Sequence, residues 1–352
     1  MAEFNEDIAC KPCDPLAAKN DNDSDEETEL PPAHRLVIPS DAAAFSEDDD
    51  IIYIVGTRGC KVTKIAGLEN MKNLQELVLR CCLIRFMDGI NHLITLQKLE
   101  LYDNQIQKIE SIDSLKNLKI LDLSFNCIRD MSPVKVCNGL QELYIAQNKL
   151  RSIQGLEDMP NLKILDLGAN RIRSMEGLQY VTSLKSLWLG KNKIESITNI
   201  TQMTNLKQLD IQSNRLQSIE NIATLLNLEE LYLAHNNINN LVGLASLGRH
   251  EKLNHESDII TSSCKLTTLD VSSNPMLCSF HGIEHLISLT ELWMSATNIT
   301  SFDQIQVIST TLTKLECIYL EFSPLSKDFE YRKKLTEMIP SLAQIDAVAV
   351  RR

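Results

Sequence analysis

From residue 74 onward, two apolar periods alternate along the chain. Leucines stand at 74, 96, 118, 140, 162, 184, 206 and 228, each 22 residues after the last. Each opens the same string, as in Leu162-Lys-Ile-Leu165-Asp-Leu167-Gly-Ala-Asn170-Arg-Ile172 and Leu184-Lys-Ser-Leu187-Trp-Leu189-Gly-Lys-Asn192-Lys-Ile194. The L-x-L segment alternates apolar and polar, which predicts a short strand with its leucines inward. After the asparagine, apolar residues recur every third position (Ile172, Met175, Leu178, Val181), a spacing that suits 3₁₀ turns better than a long α-helix. The asparagine column (Asn104, Asn126, Asn148, Asn170, Asn192, Asn214, Asn236) marks where the chain leaves each strand. An amide there can bond backbone groups that the bend would leave unpaired. Further copies open at Leu266, Leu289 and Leu315.

This string, L-x-x-L-x-L-x-x-N-x-I, is the leucine-rich repeat. It predicts an α/β repeat solenoid of about 11–12 turns, with a concave parallel β-sheet and a convex side of mainly 3₁₀ turns. A single turn buries too little to offset the ordering of its own backbone, so the ends of the array require caps. Residues 1–50 read as an acidic disordered tail and 51–323 as the array. Within the array, 51–73 supply a half-repeat that closes the start. The finish is closed by a C-terminal cap, 324–352, that breaks the phase and reads as a helix followed by a returning segment. Between Leu228 and Leu266 lie 38 residues where 22 are expected, a 16-residue insertion near 248–264. Cys82 and Thr297 stand where asparagine is expected, so the amide column should weaken toward both ends.

Charge changes the picture when it is divided. The chain of 352 residues carries a net −12, and residues 1–50 hold 15 Asp/Glu against 3 Lys/Arg, so the whole excess sits in the tail. The repeats are neutral overall, which disfavours nucleic-acid binding by bulk charge. No apolar run is long enough to span a membrane, and the amino terminus lacks signal-peptide order. Ten cysteines without a framework fit a reducing compartment. Cys10-x-x-Cys13 has no second pair at zinc spacing, and His250, His255 and Cys264 of the insertion read as part of a solvated loop, so no metal and no cofactor is expected. Ser24, before Asp-Glu-Glu, and Ser46, before Glu-Asp-Asp, are candidate sites for an acidophilic kinase.

The candidate chemistry lies on the sheet. The middle residue of each L-x-L should point away from the core, and this column reads Val78, Glu100, Asp122, Tyr144, Asp166, Trp188, Asp210, Tyr232, Asp270, Trp293, Tyr319. Five of the eleven are aromatic, including both tryptophans of the chain, and five are acidic. Exposed rings in a polar setting resemble the anchors of a binding surface, and carboxylates between them would orient a partner rich in Lys and Arg. Glu76, Glu142, Glu230 and Glu291 flank the column. Carboxylates standing in the open on neighbouring strands, without a pocket, should keep ordinary pKa values. No Gly-rich phosphate loop, H-E-x-x-H or G-x-S-x-G is present in the chain, and no enzyme is expected.

Two stretches narrow the reading: Leu-Trp-Leu-Gly-Lys-Asn-Lys-Ile at 187–194, and the ending Tyr331-Arg332…Pro340-Ser341…Gln344-Ile345-Asp346-Ala347. With the 22-residue spacing, they resemble the leucine-rich regulatory subunit of protein phosphatase 1 (regulatory subunit 7 type), from about residue 51 to the end. The resemblance implies a non-catalytic subunit that binds the Ser/Thr phosphatase catalytic subunit on its concave face and controls its activity or maturation. The family's docking positions match Asp122, Tyr144, Asp166, Trp188, Asp270, Glu291, Trp293 and Tyr319 here, with Tyr144 and Trp188 where the family more often has Phe. It further implies a ternary complex with the small inhibitor-3 protein, a monomer when free, and a place in nucleus and cytoplasm. The chain lacks the [K/R]-V-x-F docking tetrapeptide, consistent with docking by a folded surface. The alternative is a leucine-rich scaffold for a ciliary (axonemal) or spliceosomal assembly.

Overall fold

The computed structural model describes residues 45–57, 61–248 and 264–350. Its strands form one sheet in chain order. They begin with β1 (Ile51–Val55) and β2 (Glu76–Arg80), followed by β3 (Lys98–Glu100), β4 (Ile120–Asp122) and β5 (Glu142–Tyr144). Next come β6 (Ile164–Asp166), β7 (Ser186–Trp188), β8 (Gln208–Asp210) and β9 (Glu230–Tyr232). The sheet ends with β10 (Thr268–Asp270), β11 (Glu291–Trp293), β12 (Cys317–Tyr319), β13 (Gln344–Ile345) and β14 (Val348–Ala349). Every neighbouring pair is parallel except β13 with β14, which turns back antiparallel. A parallel pair requires a crossover, and here each crossover is the outer arc of one repeat. Strands packed about 4.8 Å apart occupy less width than those arcs, so the sheet lies on the inner side of the coil.

The repeat string explains each turn. Leu162, Leu165 and Leu167 are fully buried, as are Ile172, Met175, Leu178 and Val181 on the outer arc. The chain leaves each strand through a left-handed residue just before the asparagine: Phe125, Gln147, Ala169 and Lys191 have φ between 52° and 57°. None is glycine, so each turn carries strain of roughly 1–2 kcal/mol. The asparagine offsets it. Asn170 donates from Nδ2 to the carbonyls of Ile145 (2.8 Å), Leu167 (3.0 Å) and Gly168 (3.2 Å), and its Oδ1 accepts the Leu150 N–H at 3.0 Å. The amide thus ties its own bend to the preceding turn, which is why the column repeats without interruption in mid-array.

Several expectations need correction. Residues 51–73 form more than half a repeat, because β1 adds a full strand in register with β2. Ile52 is buried there and Ile54 packs against the core, so the period of two survives without leucine. The tail boundary at 50 also moves: Phe45 packs against the core, and the Asp50 carbonyl accepts from the N–H groups of Gln75 and Glu76. Short 3₁₀ segments do occur on the outer arcs (Ser132–Val136, Leu178–Tyr180, Val242–Ser246, Pro324–Lys327), but the repeat opened by Leu289 carries a true helix, α1 (Phe302–Ser309). The next repeat opens at Leu315, 26 residues after Leu289, and the four extra residues supply about one helical turn. Ser301 and Gln304 close α1 with a capping box. Thr297 keeps one bond of the amide column, Oγ1 to the Met294 carbonyl at 2.7 Å, and Ser323 repeats it to Leu320.

The insertion leaves the sheet intact. Thr268 pairs directly with Glu230, and the two ends of the insertion meet, since a Cβ on Gly248 would stand 2.8 Å from that of Cys264. His250 and His255 lie outside the described residues, as do Cys10, Cys13 and Ser24, whereas Cys264 is buried with its thiol pushed up by desolvation. At the far end, α2 (Tyr331–Met338) and β13 close the coil. Asp346 accepts the N–H groups of Leu320 (2.9 Å) and Glu321 (3.1 Å), taking the place of the next strand's carbonyl, which the equivalent Leu167 N–H finds on Trp188. Arg332 clamps the Ile345 carbonyl at 2.7 Å and the Val348 carbonyl at 3.0 Å. Asp346 thus ties the final turn to the end of β12, and Arg332 ties β13 and β14 to α2.

Candidate functional site

Parallel register brings the candidate residues into single file. Asp122 stands opposite Tyr144, Tyr144 opposite Asp166, and Asp166 opposite Trp188. The file continues through Asp210, Tyr232, Asp270 and Trp293 to Tyr319. Glu291 begins the same strand as Trp293. With about 4.8 Å between strands, residues at 53 and 319 stand roughly 50 Å apart along the file. All eight candidate docking residues thus share one face.

Their exposure is uneven. Trp293 is the most open of them, 37% exposed, and stacks on Tyr319 with ring centroids 4.8 Å apart and planes tilted by 38°. The Gln344 side-chain amide donates to the Tyr319 hydroxyl, which fixes that ring from the C-terminal cap. Tyr144, Trp188 and Tyr232 are half-buried. The Tyr144 hydroxyl donates to Glu142 Oε2 and the Tyr232 hydroxyl to Glu230 Oε2, both at 2.9 Å. Burial and these carboxylate partners push both phenols up, Tyr232 to about 12. Each ring is therefore held flat along the sheet by the flanking glutamate of its own strand.

The aspartates do two things at once. Asp122, Asp166, Asp210 and Asp270 each accept the backbone N–H two residues on (Ser124, Gly168, Gln212, Ser272) at 2.8–2.9 Å. That bond orients the carboxylate where the strand ends. Burial raises the pKa of all four above the ordinary value, against the lowering by those N–H bonds, so the expectation of unshifted acids is corrected. The cause is crowding within the file: Asp166, Asp210 and Asp270 each sit between rings on adjacent strands and lose water to them, while Asp122 sits between Tyr144 and Glu100, whose charge raises it further. The second oxygen of Asp166 has no hydrogen-bond partner among the described residues. A row of partly desolvated carboxylates is primed to gain from an incoming cation.

Part of the column is not available to a partner. Val78 and Asp270 are buried, and Glu100 is only 6% exposed. Glu100 is absorbed by Arg80, at 2.7 Å, and by Lys98, at 3.0 Å. The sequence reading also missed Tyr53, 57% exposed and in register with Val78, because β1 carries no leucine string to mark it. It missed a second aromatic pair, Tyr102 and Phe125, with centroids 4.8 Å apart and Arg80 over the Tyr102 ring. Ser46, one of the two candidate phosphorylation sites, is exposed, and its hydroxyl accepts the Asp48 N–H at 3.3 Å. Among the described residues, no group of three His, Cys, Asp or Glu could hold a metal ion, and no helix is long and apolar enough to cross a membrane.

Known proteins agree with this architecture. The family described as Leucine Rich repeats (2 copies) matches residues 94–136, 138–180, 182–224 and 204–249, and a single Leucine Rich repeat matches 262–276. Among solved structures, an internalin (inlF) from Listeria monocytogenes is 25% identical with a TM-score of 0.67, covering 86% of this chain and 87% of its own. The Leptospira interrogans LRR protein LIC12759 is 23% identical with a TM-score of 0.69, covering 81% of this chain and 70% of its own, a likeness of fold alone. Among curated proteins, protein phosphatase 1 regulatory subunit pprA of Dictyostelium discoideum is 37% identical over 71 residues, 20% of each chain. Protein phosphatase 1 regulatory subunit SDS22 of Schizosaccharomyces pombe is 40% identical over 67 residues, 18% of this chain and 20% of its own. The matched stretch thus spans about a fifth of the length of these curated relatives. The chain is a leucine-rich-repeat protein, similar in that stretch to the regulatory subunits of protein phosphatase 1.

Proposed function

We propose that this chain is a non-catalytic regulatory subunit that binds the catalytic subunit of protein phosphatase 1 along the acidic and aromatic file of its sheet. The single observation that carries the reading is the file itself, in which carboxylates and rings alternate in register from Asp122 to Trp293. The names of the two regulatory subunits it resembles supply the partner. In this mechanism Trp293 and Trp188 are the anchors, Asp122, Asp166 and Glu291 pair with lysines and arginines of the phosphatase, and the buried Asp270 holds the strand end beside Trp293 instead of pairing. Tyr144 and Tyr319 provide rigid apolar contact beside them. Aromatic side chains lose little rotamer freedom on binding, and the glutamate and glutamine bonds have already fixed these rings. The ternary complex with inhibitor-3, a monomeric free state and a distribution over nucleus and cytoplasm belong to the same proposal.

Affinity capture of the tagged full chain, followed by mass spectrometry and a binding assay with purified phosphatase catalytic subunit, tests it. The proposal expects that subunit to dominate the capture and to bind directly. Dominance of axonemal or spliceosomal proteins, with no direct phosphatase binding, would overturn it in favour of the scaffold reading.

A further inference from the structure

The repeats are neutral overall, yet their sheet face is acidic, so the balancing cations must gather elsewhere. Many of them gather on one flank. Just past the asparagine column the sequence reads Lys149-Leu-Arg151, Arg171-Ile-Arg173 and Lys193-Ile-Glu195, followed by Arg215. The middle residues Leu150, Ile172 and Ile194 are fully buried, so in this extended stretch the residues on either side point out together. The turns are also in step. The N–H of Arg171 bonds the carbonyl of Leu150, that of Lys193 bonds Ile172, and that of Arg215 bonds Ile194, all at 2.8–2.9 Å. Lys149, Arg171, Lys193 and Arg215 therefore stack as one column, with Arg151 and Arg173 beside it about 6.6 Å away.

These cations are uncommitted. Among the described residues, none of the six makes an ion pair or a side-chain hydrogen bond, and four of them are exposed. Lysines on the opposite flank, where the chain approaches the strands, are partly occupied: Lys119 bonds Gln97 Oε1, and Lys207 pairs with Glu229, both at 2.8 Å. Like charges stacked at strand spacing repel each other, and folding alone gives no reason to place them there. Glu195 is the acid that interrupts the stripe at its C-terminal end.

We infer that this flank is a second docking surface, separate from the sheet face, for an extended acidic polypeptide segment. Four stacked levels span roughly 15 Å, the length of about five extended residues. Alternate side chains of an extended acidic segment, about 6.6 Å apart, can meet a guanidinium or ammonium at successive positions. A single-stranded nucleic acid fits less well, because such sites interleave cations with rings that stack the bases. No ring lies among residues 148–151, 170–173 or 192–195.

Fluorescence anisotropy on the full chain tests this, with a labelled twelve-residue Glu-Ser repeat peptide and, separately, a labelled oligothymidylate as probes. The inference expects the peptide to bind, with affinity falling as salt rises. The combined variant R151E/R171E/R173E/K193E should weaken it at least about tenfold at 0.1 M salt. A control reversing Lys119 and Lys207 should leave binding within about twofold. Circular dichroism and the urea midpoint show that both variants are folded. Equal peptide binding by the wild type and the flank variant overturns the inference, as does binding of the oligothymidylate in preference to the peptide.

Discussion

Truncating one asparagine of the column tests the physical basis of the coil most sharply. In Asn170→Ala, three donated bonds and one accepted bond vanish. The losses are unequal. The Leu167 carbonyl still receives Asn192 Nδ2 at 3.0 Å, the Ile145 carbonyl keeps Asn148 Nδ2 at 3.3 Å, and the Gly168 carbonyl keeps the Gln147 N–H at 2.8 Å. The Leu150 N–H, by contrast, bonds only Asn170 Oδ1 among the described residues and is left buried and unpaired. An orphaned buried donor costs about 1–3 kcal/mol, and the weakened carbonyls add roughly 1 kcal/mol. Ala169 stays at φ 52°, so its strain remains without the bonds that offset it. The expected destabilisation is about 2–4 kcal/mol, read as a lower urea midpoint at unchanged m-value. Thr297→Val, which deletes a single bond of 2.7 Å, should cost only about 1 kcal/mol. If Asn170→Ala cost no more than Thr297→Val, the amide column would not be what ties successive turns together.

Two further outcomes follow from the same geometry. Burial raises the Asp166 carboxyl above its ordinary value, so its contribution to stability is fully present below the unfolded pKa and is lost as pH rises through the folded one. Asp166→Asn, which keeps an oxygen for the Gly168 N–H, should therefore be more stable than the parent at pH 7. That difference should close below about pH 4 in thermal melts, and the variant should bind the phosphatase more weakly. Asp346→Ala removes the acceptor for Leu320 and Glu321, so the last repeat should fray first. Hydrogen exchange should show lost protection in β12 and β13 while β4 to β8 keep theirs.

Leucine spacing made the strands and their register legible, because a 22-residue period admits only one alignment of successive L-x-L segments. It located Trp188 and Asp166 side by side before any coordinates. Where the leucines stop, legibility stops with them. Ile51–Val55 is apolar at every position, so its alternation shows only in burial, and without the string β1 and the Tyr53 it displays went unseen. The helix α1 hid in a length change, since four added residues leave the leucine string intact on both sides. Burial within the column was also hidden. Glu100 looks like Asp122 in sequence, and only the reach of Arg80 from β2 and Lys98 on its own strand turns it into an internal ion pair. The raised aspartates have the same origin, since desolvation depends on how large the neighbouring rings are and how they lie, which spacing does not encode.

The central claim is that the sheet face recognises the phosphatase through its ring anchors. Calorimetric titration of the purified phosphatase catalytic subunit into the parent chain and into Trp293→Ala, at fixed salt, tests it most directly. Trp293 is the most open docking ring and is already braced by Tyr319 at 4.8 Å, so its loss should remove a pre-ordered anchor and weaken binding by about 2 kcal/mol or more, roughly thirtyfold. Equal affinity of the two proteins, with the variant folded by circular dichroism, would contradict the account.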